Sequence, residues 1–422
     1  MAELIENRKE QEKVLLVAVR EGSEAECEES LDELAELVRT AGGICVGRVV
    51  QGRETKHPGT YVGKGKIAEI SAMIEMDGVT CVVCDDELTP AQYNNLADEL
   101  QVKIIDRTTL ILDIFAGRAR TSEGKIQVEL AQLRYRSARL SGFGKALSRQ
   151  GGGIGTRGPG EKKLEMDRRL IGKRISVLKE ELAEVIKHRE LIRSKRVSGR
   201  GPKVAAIVGY TNAGKSTLLN YLTDAGVLEE DALFATLDPT TRAVDLPDGN
   251  QILLTDTVGF IRKLPHHLVD AFRSTLEEVT YADLILHVVD SCSPVMDRQM
   301  EVVYDTLGEL GAAGKPVYTL FNKIDRFDPD IGNHMTDRRA ERIFLISAKT
   351  GEGIDDLLRG LSDFLLQSQK LLDAVIPYSG AGLISQIHVD GQMISEEYLA
   401  EGIAIKAMVP AALYGKIMKS IL

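Results

Sequence analysis

The sequence predicts a multidomain α/β protein, and three patterns carry that prediction. Short apolar segments alternate with amphipathic helical stretches through residues 14–105. Two long helical patterns follow at 124–140 and 161–196, joined by a glycine-rich stretch. A short apolar segment, a glycine-rich loop and a helical segment then occupy 204–222. The expected organisation is an N-terminal α/β parallel-sheet domain over 1–115, a long basic helical hairpin over 116–200, a nucleotide-binding α/β domain over 201–370, and a small C-terminal α+β domain over 371–422.

A length of 422 residues favours several domains over one, and 43% hydrophobic with 27% charged residues is an ordinary soluble composition. No stretch approaches 18 apolar residues without charge, so no membrane span is expected. The first 13 residues are charged and lack an apolar core, so no signal peptide is expected. The cysteine count is five, and Cys81 and Cys84 lie three apart in an apolar run that reads as a strand. That placement favours a packing role over metal binding, in a reducing, cytoplasmic chain.

The N-terminal elements follow in order. Residues 14–19, 44–50, 79–84 and 102–105 read as strands, and 23–40, 67–76 and 89–100 as helices. Strands alternating with helices imply right-handed crossovers and a parallel sheet. Gly63-Lys64-Gly65-Lys66 is either a plain turn before a helix or a weak phosphate-binding turn.

From Thr109 the texture changes. Apolar positions recur at helical spacing in both long segments, including Ile171, Ile175, Leu178 and Leu182, which is simplest as an antiparallel hairpin. Eight of the twenty residues from 141 to 160 are glycine, so this connection is expected to be a loop without fixed structure. It interleaves Lys145, Arg149 and Arg157 with Phe143, a mixture suited to RNA recognised by shape. A flexible linker is the plainer alternative. The whole chain carries −10, yet residues 117–200 hold 22 Lys or Arg against 9 Asp or Glu, leaving +13 there and −23 elsewhere. Such asymmetry suggests a surface for a polyanion.

Gly209-Tyr210-Thr211-Asn212-Ala213-Gly214-Lys215-Ser216-Thr217 fits the phosphate-loop pattern, with a buried-strand segment before it and a helix after it. Its glycines let backbone N–H groups and a helix N-terminus converge on phosphate. Lys215 would reach the β- and γ-phosphates, and Ser216 would ligate Mg²⁺. Phe234-Ala235-Thr236-Leu237-Asp238 would supply the remaining magnesium ligand, with Thr236 chosen and Thr240 and Thr241 as rivals. Asp256-Thr257-Val258-Gly259 ends an apolar strand in D-x-x-G. There Asp256 would hold Mg²⁺ through water and the Gly259 N–H would sense the γ-phosphate. Asn322-Lys323-Ile324-Asp325 ends another strand. Its Asp325 can accept from guanine N1–H and the 2-amino group, a pair that adenine lacks, while Asn322 buttresses the loop and the Lys323 stem lies over the base. Ser347-Ala348-Lys349 would meet guanine O6 through its backbone. In this order the five motifs specify a P-loop GTPase domain with GTP as substrate.

Phe260 follows Gly259, where signalling GTPases carry a water-orienting glutamine. Hydrolysis should then be slow unless a group is gained elsewhere. Asn212 helping to hold K⁺ is one source, and a partner that orders the segments around 234–242 and 260–269 is the other. Lys215, Asn212 and Gly259 are therefore the candidate catalytic residues. Beyond Gly353 a helix is expected to about residue 372. Strands are expected at 383–389, 392–394 and 403–409, with His388 on a strand face, and Pro410 opening a last helix.

These motifs resemble the HflX family of ribosome-associated GTPases. So do Tyr61-Val62-Gly63-Lys64-Gly65-Lys66 and the segment from Gln132 to Lys163, and the resemblance covers about residues 13–370. It implies binding to the large ribosomal subunit and its rRNA or to the whole ribosome, hydrolysis stimulated by the ribosome, and splitting or rescue of stalled ribosomes under stress. A cytoplasmic monomer is expected, with peripheral membrane association left open. Some members are credited with nucleotide binding by the N-terminal domain, for which Gly63-Lys64-Gly65-Lys66 is the place to look. Two other readings compete. One is a regulatory GTPase acting on a protein client, and the other is ATP-dependent RNA remodelling by the N-terminal domain.

Overall fold

The computed structural model describes residues 11–150, 159–197, 202–223, 233–234, 240–263, 278–327, 334–367 and 369–421. The chain forms two compact units, one of residues 1–184, 228–238 and 258–276, the other of 185–227, 239–257 and 277–422.

In the first unit, β1 (Lys13–Arg20), β2 (Ile44–Gly52), β3 (Cys81–Cys84) and β4 (Lys103–Asp106) form a parallel sheet in the order β2-β1-β3-β4. The helices between them are α1 (Glu24–Thr40), α2 (Lys64–Asp77) and α3 (Pro90–Leu100). Their starts are written locally. Ser23 accepts from the Glu26 N–H at 3.2 Å, and Thr89 with Gln92 closes a capping box. Leu31, Leu34 and Leu37 of α1 are fully buried, each stabilising by about 2 kcal/mol.

The sequence reading missed α4 (Arg107–Arg118). Asp106 caps it, accepting from the Thr109 N–H at 2.9 Å, but Leu110, Ile111, Leu112, Ile114 and Phe115 are all buried. A helix buried round most of its girth shows no polar face, so its periodicity is hidden. Its first residue, Arg107, pairs in the interior with Asp85 at 2.8 Å and with Glu33.

The hairpin consists of α5 (Ser122–Gln150) and α6 (Pro159–Val197). Glu129 takes both Arg174 Nε and Nη2, at 2.7 and 2.9 Å, and Leu178 is buried. The expected loop over 141–160 is corrected, because α5 continues through Gln150. Gly142 and Gly144 cost a helix about 1 kcal/mol each, but Lys145, Ala146, Leu147, Arg149 and Gln150 are good helix formers. Arg157 lies outside the described residues.

In the second unit six strands adopt the order β10-β9-β8-β5-β7-β6. They are β5 (Val204–Gly209), β6 (Thr240–Asp245), β7 (Gln251–Asp256), β8 (Leu284–Asp290), β9 (Val317–Asn322) and β10 (Arg342–Leu345). Only the edge strand β6 runs antiparallel to its neighbour. Helices α7 (Lys215–Thr223), α8 (Met296–Glu309) and α9 (Ile354–Gln367) belong to the same unit. The core gathers Ile207, Leu218, Leu254, Leu286, Leu320 and Leu357, all fully buried.

The end of the chain departs from expectation in two places. Helix α9 stops at Gln367, and β11 (Gln369–Ile376) begins where the helix was expected to continue. Residues 383–389 are not a strand: they lie in α10 (Ala381–Asp390), so His388 sits in a helical last turn, 3.0 Å from Glu396. Ile384 and Ile387 are buried at i, i+3 spacing, and that packing overrides their β-branched preference. Strands β12 (Gln392–Leu399) and β13 (Gly402–Pro410) complete an antiparallel sheet ordered β11-β13-β12, followed by α11 (Ala411–Ile421).

Candidate nucleotide site

Parallel strands present their carboxyl ends on one edge, where α/β sheets bind ligands. Gly209, Asp256, Asp290 and Asn322 each end a strand there, and Ser347 follows β10. The phosphate loop runs from β5 into α7. Gly214 has φ +97°, and a Cβ there would collide with the Asn322 amide. A Cβ on Gly209 would meet the Val288 carbonyl, so both positions demand glycine. Asn212 is exposed, with φ +61°.

Lys215 is buried and folds over its own loop, donating to the carbonyls of Gly209 at 3.2 Å and Tyr210 at 2.8 Å. Burial pushes its ammonium down to about 8, against an opposing pull from Asp256. Ser216 Oγ donates to Asp256 Oδ2 at 3.0 Å. A hydroxyl beside a buried carboxylate is an oxygen pair of the kind a hard divalent cation takes, so these residues fit Mg²⁺. Thr257 is fixed by its hydroxyl on the Ile207 carbonyl at 2.7 Å.

Asn322 ties three loops together. Its Nδ2 donates to the Ala213 carbonyl, and its Oδ1 accepts from the Ala348 N–H, both at 2.9 Å. Lys323 has φ +68° and donates to Asp290 Oδ2 at 2.7 Å. The backbone N–H of Ile324 donates to the Ile346 carbonyl at 3.3 Å. Asp325 Oδ1 accepts from Ser347 Oγ at 2.7 Å, which fixes the carboxylate in one orientation. Lys349, two residues beyond Ser347, is exposed. Asp290 was missed by sequence reading, although β8 is a buried run ending in a carboxylate.

Of the rivals for magnesium, Thr240 sits opposite Asp256 in the β6–β7 ladder, and Thr241 Oγ1 pairs with Thr255 Oγ1 at 2.9 Å. Ala235, Thr236, Leu237 and Asp238 lie outside the described residues. Phe234, Val258 and Gly259 belong to the first unit, where the Phe234 ring packs edge-on to Phe115 at 4.6 Å and Val258 and Phe260 are buried. Beyond Gly259, Arg262 pairs with Glu29 at 3.0 Å, and Lys263 pairs with Asp85 and with Asp86, the latter at 3.2 Å. Gly63-Lys64-Gly65-Lys66 enters α2 directly. There the Gly63 N–H donates to Gln51 at 2.8 Å and Lys66 pairs with Glu69.

The strand order, the glycine-restricted loop and the Asn322 tie define a P-loop GTPase. Family matches run along the chain. Residues 28–116 match the GTP-binding GTPase N-terminal family, 118–196 the GTP-binding GTPase middle region, and 204–323 the 50S ribosome-binding GTPase family. The chain is 59% identical over 417 residues to a GTPase HflX of Lacrimispora saccharolytica, covering 99% of this chain and 98% of that one. It is 46% identical over 340 residues to the GTPase HflX of Escherichia coli K12, covering 80% and 79%. A GTP-binding protein from Sulfolobus solfataricus, solved with GDP, aligns over 85% of this chain and 99% of its own at 24% identity and a TM-score of 0.45. The chain belongs to the HflX family of GTPases.

No helix among the described residues is long and apolar enough to cross a membrane.

Proposed function

We propose that the protein is a cytoplasmic, monomeric factor that binds the large ribosomal subunit through its rRNA. On this reading it acts in splitting or rescuing ribosomes under stress, and the ribosome stimulates its GTP hydrolysis. The observation that carries this is the paired hairpin α5–α6, set in a stretch, residues 117–200, that concentrates +13 in a chain of net −10.

At the nucleotide, Gly209 to Thr217 cradle the phosphates, with Lys215 leaving its loop carbonyls for the β- and γ-oxygens. Ser216 and Thr236 are the protein ligands for Mg²⁺, and Asp256 acts through water. That ion would neutralise charge building on the phosphates. Gly259 reports the γ-phosphate. Asp325 selects guanine, its geometry supported by Ser347, and Ala348 and Lys349 border O6. Asn212 helps to hold K⁺, a reading supported by its exposure on the loop.

Phe260 cannot orient water, so the stimulating group comes from the bound partner or from K⁺. GTP turnover with and without purified large subunits, in potassium and in sodium, tests both. Strong stimulation by subunits that weakens when Lys145, Arg149 and Arg157 become alanine supports the reading. Turnover indifferent to subunits overturns the ribosome as partner, and equal rates in the two salts overturn the role of K⁺.

A further inference from the structure

A cavity of about 580 Å³ opens among α3, α5 and α6, within the first unit. Its wall includes Tyr93, Arg136, Arg139, Asp167, Leu170 and Ile171. Arg139 is held as a fixed plate. Its guanidinium carbon lies 4.8 Å from the Tyr93 ring centre and 4.4 Å from that of Tyr135. Its Nη2 donates to Asp106 at 2.5 Å and to the Tyr135 hydroxyl at 2.7 Å. Its Nε is buried with no acceptor among the described residues. Opposite in character, Leu170 is apolar yet 60% exposed.

These surfaces select a ligand by chemistry. An apolar occupant would leave Asp167 unmatched, and a simple anion would gain nothing from Tyr93, Leu170 and Ile171. A flat heterocycle satisfies all of them. Its face lies on aliphatic and aromatic walls, its ring acceptors meet arginine, and its amino group meets the carboxylate. A phosphate attached to it would meet the exposed Arg136. The volume suits a nucleotide.

We propose that this cavity takes one unstacked base of single-stranded RNA, with Arg136 on its phosphate. The proposal rests on the reading of the hairpin as an RNA grip, since the +13 of residues 117–200 favours a polyanion over a free nucleotide.

The test uses the full-length protein and a single-stranded oligoribonucleotide carrying 4-thiouridine, with crosslinks mapped by mass spectrometry and affinity measured by anisotropy. Crosslinks should fall on Tyr93 or on the Leu170–Ile171 peptide. Leu170→Glu should weaken binding about tenfold, the scale of one lost base stack, and Arg136→Ala should weaken it less. Both residues are exposed, and unchanged far-ultraviolet circular dichroism and thermal unfolding confirm that the variants fold. Crosslinks elsewhere, with unchanged affinity for Leu170→Glu, overturn the cavity while leaving the RNA grip standing. No binding by the unsubstituted protein overturns both. Competition by AMP at the affinity of the oligonucleotide overturns RNA as the source of the base.

Discussion

At Lys215 the phosphate loop holds its own cation in reserve. The ammonium is bonded to two loop carbonyls and buried, which lowers its pKa to about 8. Phosphate oxygens would favour the charged form, so binding above that pH takes up a proton. Affinity for a fluorescent GTP analogue should be flat below about pH 7, about twofold lower at pH 8 and up to tenfold lower by pH 9. A flat profile to pH 9 would contradict the assignment. His287 titrates the other way in consequence. Burial on β8 pushes it down to about 4, against an opposing pull from Asp337, so the unfolded chain binds the extra proton. Its stability contribution is complete above about pH 6.5 and is lost as pH falls toward 4, by about 3 kcal/mol. His287→Leu should flatten thermal stability across that window, and an unchanged slope would place the effect elsewhere. Asn322→Ala strands the Ala213 carbonyl and the Ala348 amide at about 1–3 kcal/mol each. Nucleotide affinity should fall more than tenfold, read by the same titration.

Among elements, the hairpin separates contacts that look alike on paper. Arg174–Glu129 is bidentate but exposed and screened by solvent, so Arg174→Ala should leave the denaturation midpoint nearly unchanged. Leu178 is fully buried, and Leu178→Ala should cost about 2–5 kcal/mol in chemical denaturation. Equal costs would mean that charge, not packing, holds α6. The same contrast explains what sequence reading reached. Strands ending in glycine or carboxylate, such as β5 and β7, and capped helices, such as α1 and α3, carry their signals locally. The helix α4 lacked a polar face, and the short α10 has β-branched residues whose packing decided the outcome. The edge strand β6 was read only for the threonines at its start, and the buried β8 was passed over because no motif drew attention to it. At the site, the motif residues were legible because phosphate and guanine chemistry fixes their types. Asp290, which holds Lys323, and the Ser347–Asp325 bond were not, because they depend on which loops the fold brings together.

For the whole molecule, a nucleotide site at the edge of one sheet is joined by a single chain to a basic hairpin, and the account requires the first to control the second. The direct measurement is cosedimentation with purified large ribosomal subunits, with the protein loaded with a non-hydrolysable GTP analogue or with GDP. The account predicts retention with the analogue, release with GDP, and loss of retention at high salt as phosphate contacts are screened. Equal retention in both nucleotide states would contradict it, because a grip indifferent to the γ-phosphate is not governed by the GTPase.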